Sequence, residues 1–135
     1  MKSRIVGLLS AALLVAATGA AAEHTKDPLD KVKQNLAQKK AVLIDVREQT
    51  EWSEGHLQDA QLLPLSELKR AAGDPAVKQD LDKKLSKDRI VYCHCRSGGR
   101  VLIASGILGK LGYDVRPLAA GYDDLLKAGF PAAKK

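Results

Sequence analysis

Two cysteines one residue apart, Cys93 and Cys95, stand in the run YCHCRSGGR at residues 92–100, with His94 between them and a basic, glycine-rich turn directly after. Residues of these types serve a metal site, a disulfide, a phosphate-holding loop or a sulfur nucleophile in an anion cradle. A metal is poorly served here, because neighbouring strand residues point to opposite faces and a fourth ligand is missing. Neither a metal nor a cofactor is expected. A disulfide between residues i and i+2 of an extended strand closes a small, strained ring, since it needs Cβ atoms about 3.5–4.5 Å apart and a dihedral near 90°.

The nucleophile fits best. Cys95 is followed by Arg96, Ser97, Gly98, Gly99 and Arg100, and then by a helical pattern. Such a turn can aim backbone N–H groups inward, with Gly98 and Gly99 expected to supply the positive φ that an amide nest needs. The helix start adds partial positive charge, and Arg96 and Arg100 add more. A sulfur so placed is suited to react as a thiolate beside a bound anion. Cys95 is therefore the candidate catalytic residue, and Arg96, Ser97, Gly98, Gly99 and Arg100 are candidate substrate-binding residues. Cys93 is expected to be a small core residue rather than a resolving thiol. His94 is expected to line the pocket or face solvent.

The elements that must carry this loop can be read outward from it. RIVYC, residues 89–93, and AVLIDV, residues 41–46, are short apolar runs with β-branched residues and read as buried strands. AQLLP and DVRPLA read as two more strands. Helices are expected over DPLDKVKQNLAQKK, with Asp27 as cap and Pro28 first, and over SELKRAAG and DPAVKQDLDKKL, capped by Ser66 and Asp74. GGRVLIASGILGKLGY and GYDDLLKAG are helical too, the former stopping at Gly112, and EQTEWSEGH is a loop or short helix. Strands alternating with helices imply an α/β fold with a mainly parallel central sheet flanked by helices. In such sheets the site lies beyond the carboxyl ends of the strands, where Asp45 and Arg47 arrive beside the Cys95 loop. That pair is expected to play a supporting part by orienting backbone amides. Trp52 is expected to cover the core and His56 to be structural.

The chain begins with Lys2 and Arg4, an uncharged, mostly apolar run from Ile5 to Ala17, and Ala20-Ala21-Ala22 before Glu23. This is the layout of a secretory signal peptide over residues 1–22, leaving residues 23–135 as one domain. The run falls short of the roughly 20 residues a membrane span needs. A periplasmic or secreted protein is expected, with no stable membrane association after cleavage; an uncleaved anchor is the alternative. Loss of Lys2 and Arg4 with that segment takes the formal charge from +6 to +4. A mild positive balance suits small anions. Scattered lysines and few aromatics argue against nucleic acid.

LIDVREQTEWSEGH, YCHCRSGGRV, LGYDV and AAGYDDLLKAGFP, in this order, resemble the rhodanese family of sulfurtransferases over about residues 28–131. The family's C-R-S-G-x-R loop corresponds to Cys95-Arg96-Ser97-Gly98-Gly99-Arg100, and its DVR and GH elements to Asp45-Val46-Arg47 and Gly55-His56. The resemblance implies a rhodanese-like three-layer fold and transfer of a sulfane sulfur. Cys95 would take it from a small anionic donor such as thiosulfate and pass it to a thiol or cyanide-like acceptor. A persulfide or thiol carrier or redox module serving a protein partner without turnover is the other function compatible with the loop. Related phosphatases need C-x5-R, whereas four residues separate Cys95 from Arg100 and six separate Cys93 from it. Three features depart from the family pattern: GHLQDA at residues 55–60, Leu125 where tryptophan is common, and Cys93.

Overall fold

The computed structural model describes residues 22–134. The expected signal segment lies outside the described residues apart from Ala22. In chain order the elements are α1 (Leu29–Ala37), β1 (Ala41–Asp45), α2 (Gln49–Glu54), β2 (Ala60–Leu62), α3 (Leu65–Ala71), α4 (Pro75–Lys84), β3 (Ile90–His94), α5 (Arg100–Lys110), β4 (Asp114–Pro117) and α6 (Tyr122–Lys127). The strands form one sheet in the order β2-β1-β3-β4, and every pairing is parallel.

Parallel strands buried on both faces should be apolar on both, and the two central strands show why three layers form. Ile44, Val91 and Cys93 face the same side as Leu65 and Leu68 of α3, Leu81 of α4, and Val101, Ala104 and Leu108 of α5. Leu43 and Tyr92 face the other side, with Val32 of α1, Leu125 of α6, Leu118 and Phe130. Leu125 is fully buried there, so a smaller side chain fills the position where the family pattern has tryptophan.

Two expected helix caps are corrected. Asp27 does not cap α1: its carboxylate accepts from the Tyr92 hydroxyl at 2.7 Å and from Arg116 at 2.8 Å, and Pro28 flanks the helix instead. Ser66 lies inside α3, which begins after Pro64, and its hydroxyl donates to Glu48 at 2.8 Å. Asp74 does cap α4, accepting from the Ala76 amide at 3.0 Å with Pro75 at the first helical position. Trp52 is half-buried on α2 and stacks on His56 with centroids 3.6 Å apart, so it covers the histidine rather than the core. His56 is further held by its Nδ1 against the Trp52 carbonyl at 3.0 Å, the structural part expected of it.

Candidate active site

Cys95 follows the last residue of β3 at the carboxyl edge of the sheet. It is 1% exposed, sheltered under its own loop. The Gly98 amide donates to Cys95 Sγ at 3.1 Å. This bond is the core of the site, because an N–H aimed at sulfur stabilises negative charge there. Gly98 makes the turn at φ +86, whereas Gly99 has φ −86 and flanks α5 in right-handed conformation. One left-handed residue therefore reverses the chain, which corrects the expectation that both glycines would supply positive φ. Ser97 is exposed on the loop, as is Arg96.

The back of the loop rests on the segment between β4 and α6. The Leu118 amide donates to the Cys93 carbonyl at 2.9 Å, and the Tyr122 amide donates to the Cys95 carbonyl at 2.9 Å. Gly121 lies so close that an added Cβ would stand 1.8 Å from the Arg96 carbonyl oxygen.

The two loop arginines share one partner. Arg100 grips Glu51 of α2 through both terminal nitrogens, the Nη2 contact measuring 2.9 Å, and Arg96 Nε donates to the same carboxylate at 3.1 Å. The hydrogen bond from Arg100, foremost, holds the Glu51 carboxyl down at about 2. A carboxyl held below its usual 4.5 contributes stability that is complete above about pH 4.5 and is lost as pH falls toward 2. Glu51 also closes a capping box with Glu48 at the start of α2. Its local signal in the sequence, Glu48 with Glu51 three residues on, marks a helix start and not a partner 45 and 49 residues away.

Asp45 and Arg47 form a buried pair, with Arg47 Nη2 2.9 Å from Asp45 Oδ2 and exposures of 2% and 0%. Asp45 also accepts from the Arg47 amide at 2.9 Å. Arg47 donates to the Gly55 carbonyl at 2.7 Å and lies 4.4 Å over the Tyr122 ring. Among the described residues, the pair's hydrogen bonds brace the end of α2 and do not reach the amides of the Cys95 loop. His94 is fully buried, which corrects its expected place in the pocket or in solvent. Its Nδ1 lies 3.4 Å from the Cys95 carbonyl and its Nε2, without a hydrogen-bond partner among the described residues, 3.7 Å from Asp45. Burial pushes its pKa down against the opposing pull of Asp45, so the ring is neutral.

Cys93 and Cys95 are both free thiols in the same core layer, while His94 points into the other layer beside Asp45. Burial, then the charge of Cys95, pushes the Cys93 thiol far up, and its Sγ lies 3.9 Å from the Val101 carbonyl. It is a core residue. A cleft of about 200 Å³ opens beside the loop, lined by Arg47, Glu51, Glu54, Arg96, Tyr122 and Asp123 among others. A wider cleft of about 720 Å³, with Lys83, Lys87, Arg89 and Tyr113 in its walls, lies by the amino ends of the strands and has no cysteine in its lining.

The Rhodanese-like domain profile matches residues 28–128. A Schizosaccharomyces pombe protein named "Putative thiosulfate sulfurtransferase, mitochondrial" is 36% identical over 85 residues, 60% of this chain and 59% of that protein, so the match spans about three fifths of that relative's length. Among solved structures, the human single-domain sulfurtransferase TSTD1 has a TM-score of 0.62 and 33% identity, covering 73% of this chain and 92% of that one. The Helicobacter pylori protein hp1203 has a TM-score of 0.57 and 31% identity, covering 72% and 81%.

Proposed function

Because the chain belongs to the rhodanese-like family, we propose that it is a sulfurtransferase carrying a sulfane sulfur as a persulfide on Cys95. The Cys95 thiolate attacks the outer sulfur of thiosulfate or a similar donor, a new S–S bond forms, and sulfite leaves with the electron pair of the broken bond. Cyanide or a thiolate then attacks the outer sulfur of the persulfide, and the Cys95 thiolate is regenerated. No net oxidant or proton is needed, so no general base is called for and the neutral, buried His94 is no obstacle. The observation that carries this reading is the Gly98 amide held 3.1 Å from Cys95 Sγ at the end of β3. Mass spectrometry of the thiosulfate-treated protein tests it: a gain of one sulfur atom on the Cys95 peptide, lost on adding cyanide, is the expected result. An adduct elsewhere, or none, overturns it.

Glu51 favours a second reading, a carrier that hands sulfur to a protein thiol and binds thiosulfate poorly. The cleft wall sets Glu51, Glu54 and Asp123 against Arg47 and Arg96, and Arg47 is already paired with Asp45. A doubly charged donor is not drawn to such a wall. Replacing Glu51 by glutamine frees Arg96 and Arg100 and removes one negative charge. The KM for thiosulfate is expected to fall about three- to tenfold, the scale of one charge-assisted contact. An unchanged or higher KM would show that the arginines do not recognise the donor.

Export belongs to the same reading, on the charged start, apolar run and Ala20-Ala21-Ala22 junction. N-terminal sequencing of the protein expressed with its full chain in a bacterium is expected to begin at Glu23. An uncleaved, cytoplasmic product would rule this out.

A further inference from the structure

The stretch just before α1 reaches across the molecule to the Cys95 loop. His24 Nε2 lies 2.6 Å from the Gly98 carbonyl oxygen, a contact spanning 74 positions of sequence. A carbonyl can only accept, so Nε2 carries the proton. The stretch is tied down on the α1 side of this contact. The Thr25 amide donates to the Pro117 carbonyl at 2.7 Å, and Thr25 Oγ1 accepts from the Asp27 amide at 3.2 Å. Asp27 in turn is held by Tyr92 and Arg116.

Gly98 is the residue whose amide faces the sulfur. Without a Cβ it has little intrinsic restraint, and its φ of +86 must be held from outside. Two groups press on it: the Ala119 carbonyl, 2.8 Å from where a Cβ would stand, and His24, 3.3 Å from the same point. The α5 side of Gly98 is thus fixed through its carbonyl, and the sulfur side through its amide.

We propose that His24 is a positioning residue for sulfur transfer, acting through the Gly98 carbonyl to hold the amide that faces Cys95. The proposal rests on the reading of Cys95 as the sulfur carrier. A loop free to swing about Gly98 presents its amide to the sulfur only part of the time, and small misplacements of catalytic groups are costly in rate.

The test compares the full chain with its His24→Ala, His24→Gln, Thr25→Pro and Glu23→Ala variants. Two quantities are read: kcat/KM for thiocyanate formation from thiosulfate and cyanide, and the hydrogen-exchange rate of the Gly98 amide by NMR. In His24→Ala, kcat/KM is expected to fall about three- to tenfold and Gly98 exchange to rise by a similar factor, the scale of one hydrogen bond, with the melting temperature little changed. His24→Gln, whose amide nitrogen can donate, is expected to restore both. Thr25→Pro, which removes the N–H bound to Pro117, is expected to reproduce the loss. Glu23→Ala, exposed, is expected to leave both unchanged. Normal exchange and turnover in His24→Ala, or a His24→Gln variant as impaired as alanine, overturns the proposal. If the parent chain forms no thiocyanate and no sulfur adduct, the sulfur-transfer reading fails, and the exchange comparison still decides whether His24 holds the loop.

Discussion

Cys95→Ser is expected to lower thiocyanate formation from thiosulfate and cyanide by at least about 10³-fold, the scale seen when a covalent nucleophile is lost. The substitution keeps the shape of the site. A serine hydroxyl can still accept the Gly98 amide that now donates to sulfur at 3.1 Å, and the volume changes little. The fold is therefore expected to survive, with a melting temperature within a few degrees of the parent. Chemistry fails because the alcohol stays protonated at neutral pH and forms no persulfide. Cys93→Ala is the matched control. That thiol is buried among Ile44, Val91 and Val101 and its sulfur faces the Val101 carbonyl, so it is expected to take no part in the transfer. Its removal leaves a small cavity, and a loss of roughly 1 kcal/mol of stability with most activity kept is expected. Activity surviving in Cys95→Ser, or lost in Cys93→Ala with the fold intact, would move the nucleophile to Cys93.

Much of this site could be read from sequence because its governing contacts are local. β1 and β3 declare themselves as apolar runs, and Cys95 and Gly98 stand three positions apart in one turn. Asp74 was readable as a cap because its partner, the Ala76 amide, lies two residues away. The misreadings arose where a polar side chain found a distant partner. Asp27 has the composition of a cap and is taken by Arg116 from 89 residues away. Ser66 is taken by Glu48, 18 residues away. Arg96 and Arg100 read as anion ligands, and nothing near them in sequence announces the Glu51 carboxylate that both contact. His94 read as a pocket or solvent residue because strand alternation gives its face but not what covers it; in the fold it is buried beside Asp45 with the Tyr122 ring stacked over it. His24 and Gly121 carry no local signal for their roles. Both act on the loop only after the chain has folded.

Gly121 shows how large such a hidden effect can be. Its φ of −84 and ψ of −178 are open to any residue, so Gly121→Ala introduces no backbone strain of its own. The obstacle is space. The new Cβ would lie 1.8 Å from the Arg96 carbonyl oxygen, 2.5 Å from its carbon and 3.1 Å from the Ser97 nitrogen. All three are backbone atoms, so no side-chain rotation relieves the clash. Either the loop or the start of α6 must move by more than an ångström, and the two are joined by the Tyr122 amide on the Cys95 carbonyl at 2.9 Å. Overpacking of this kind costs about 1–3 kcal/mol, so a fall of several degrees in melting temperature is expected. Activity should suffer more. Arg96 directly follows Cys95, the proposed nucleophile, and a shift of about 1 Å in a catalytic group can cost about 10²-fold. The expected result is a roughly hundredfold fall in kcat/KM for thiosulfate and cyanide, larger than the stability loss alone would give at a temperature where the variant is folded. Gly106→Ala, in α5 with nothing within 4 Å of the added carbon, is expected to leave activity intact and to stabilise the helix by about 0.5–1 kcal/mol. A Gly121→Ala protein with parental turnover and melting temperature would mean that the Cys95 loop is not seated on this glycine.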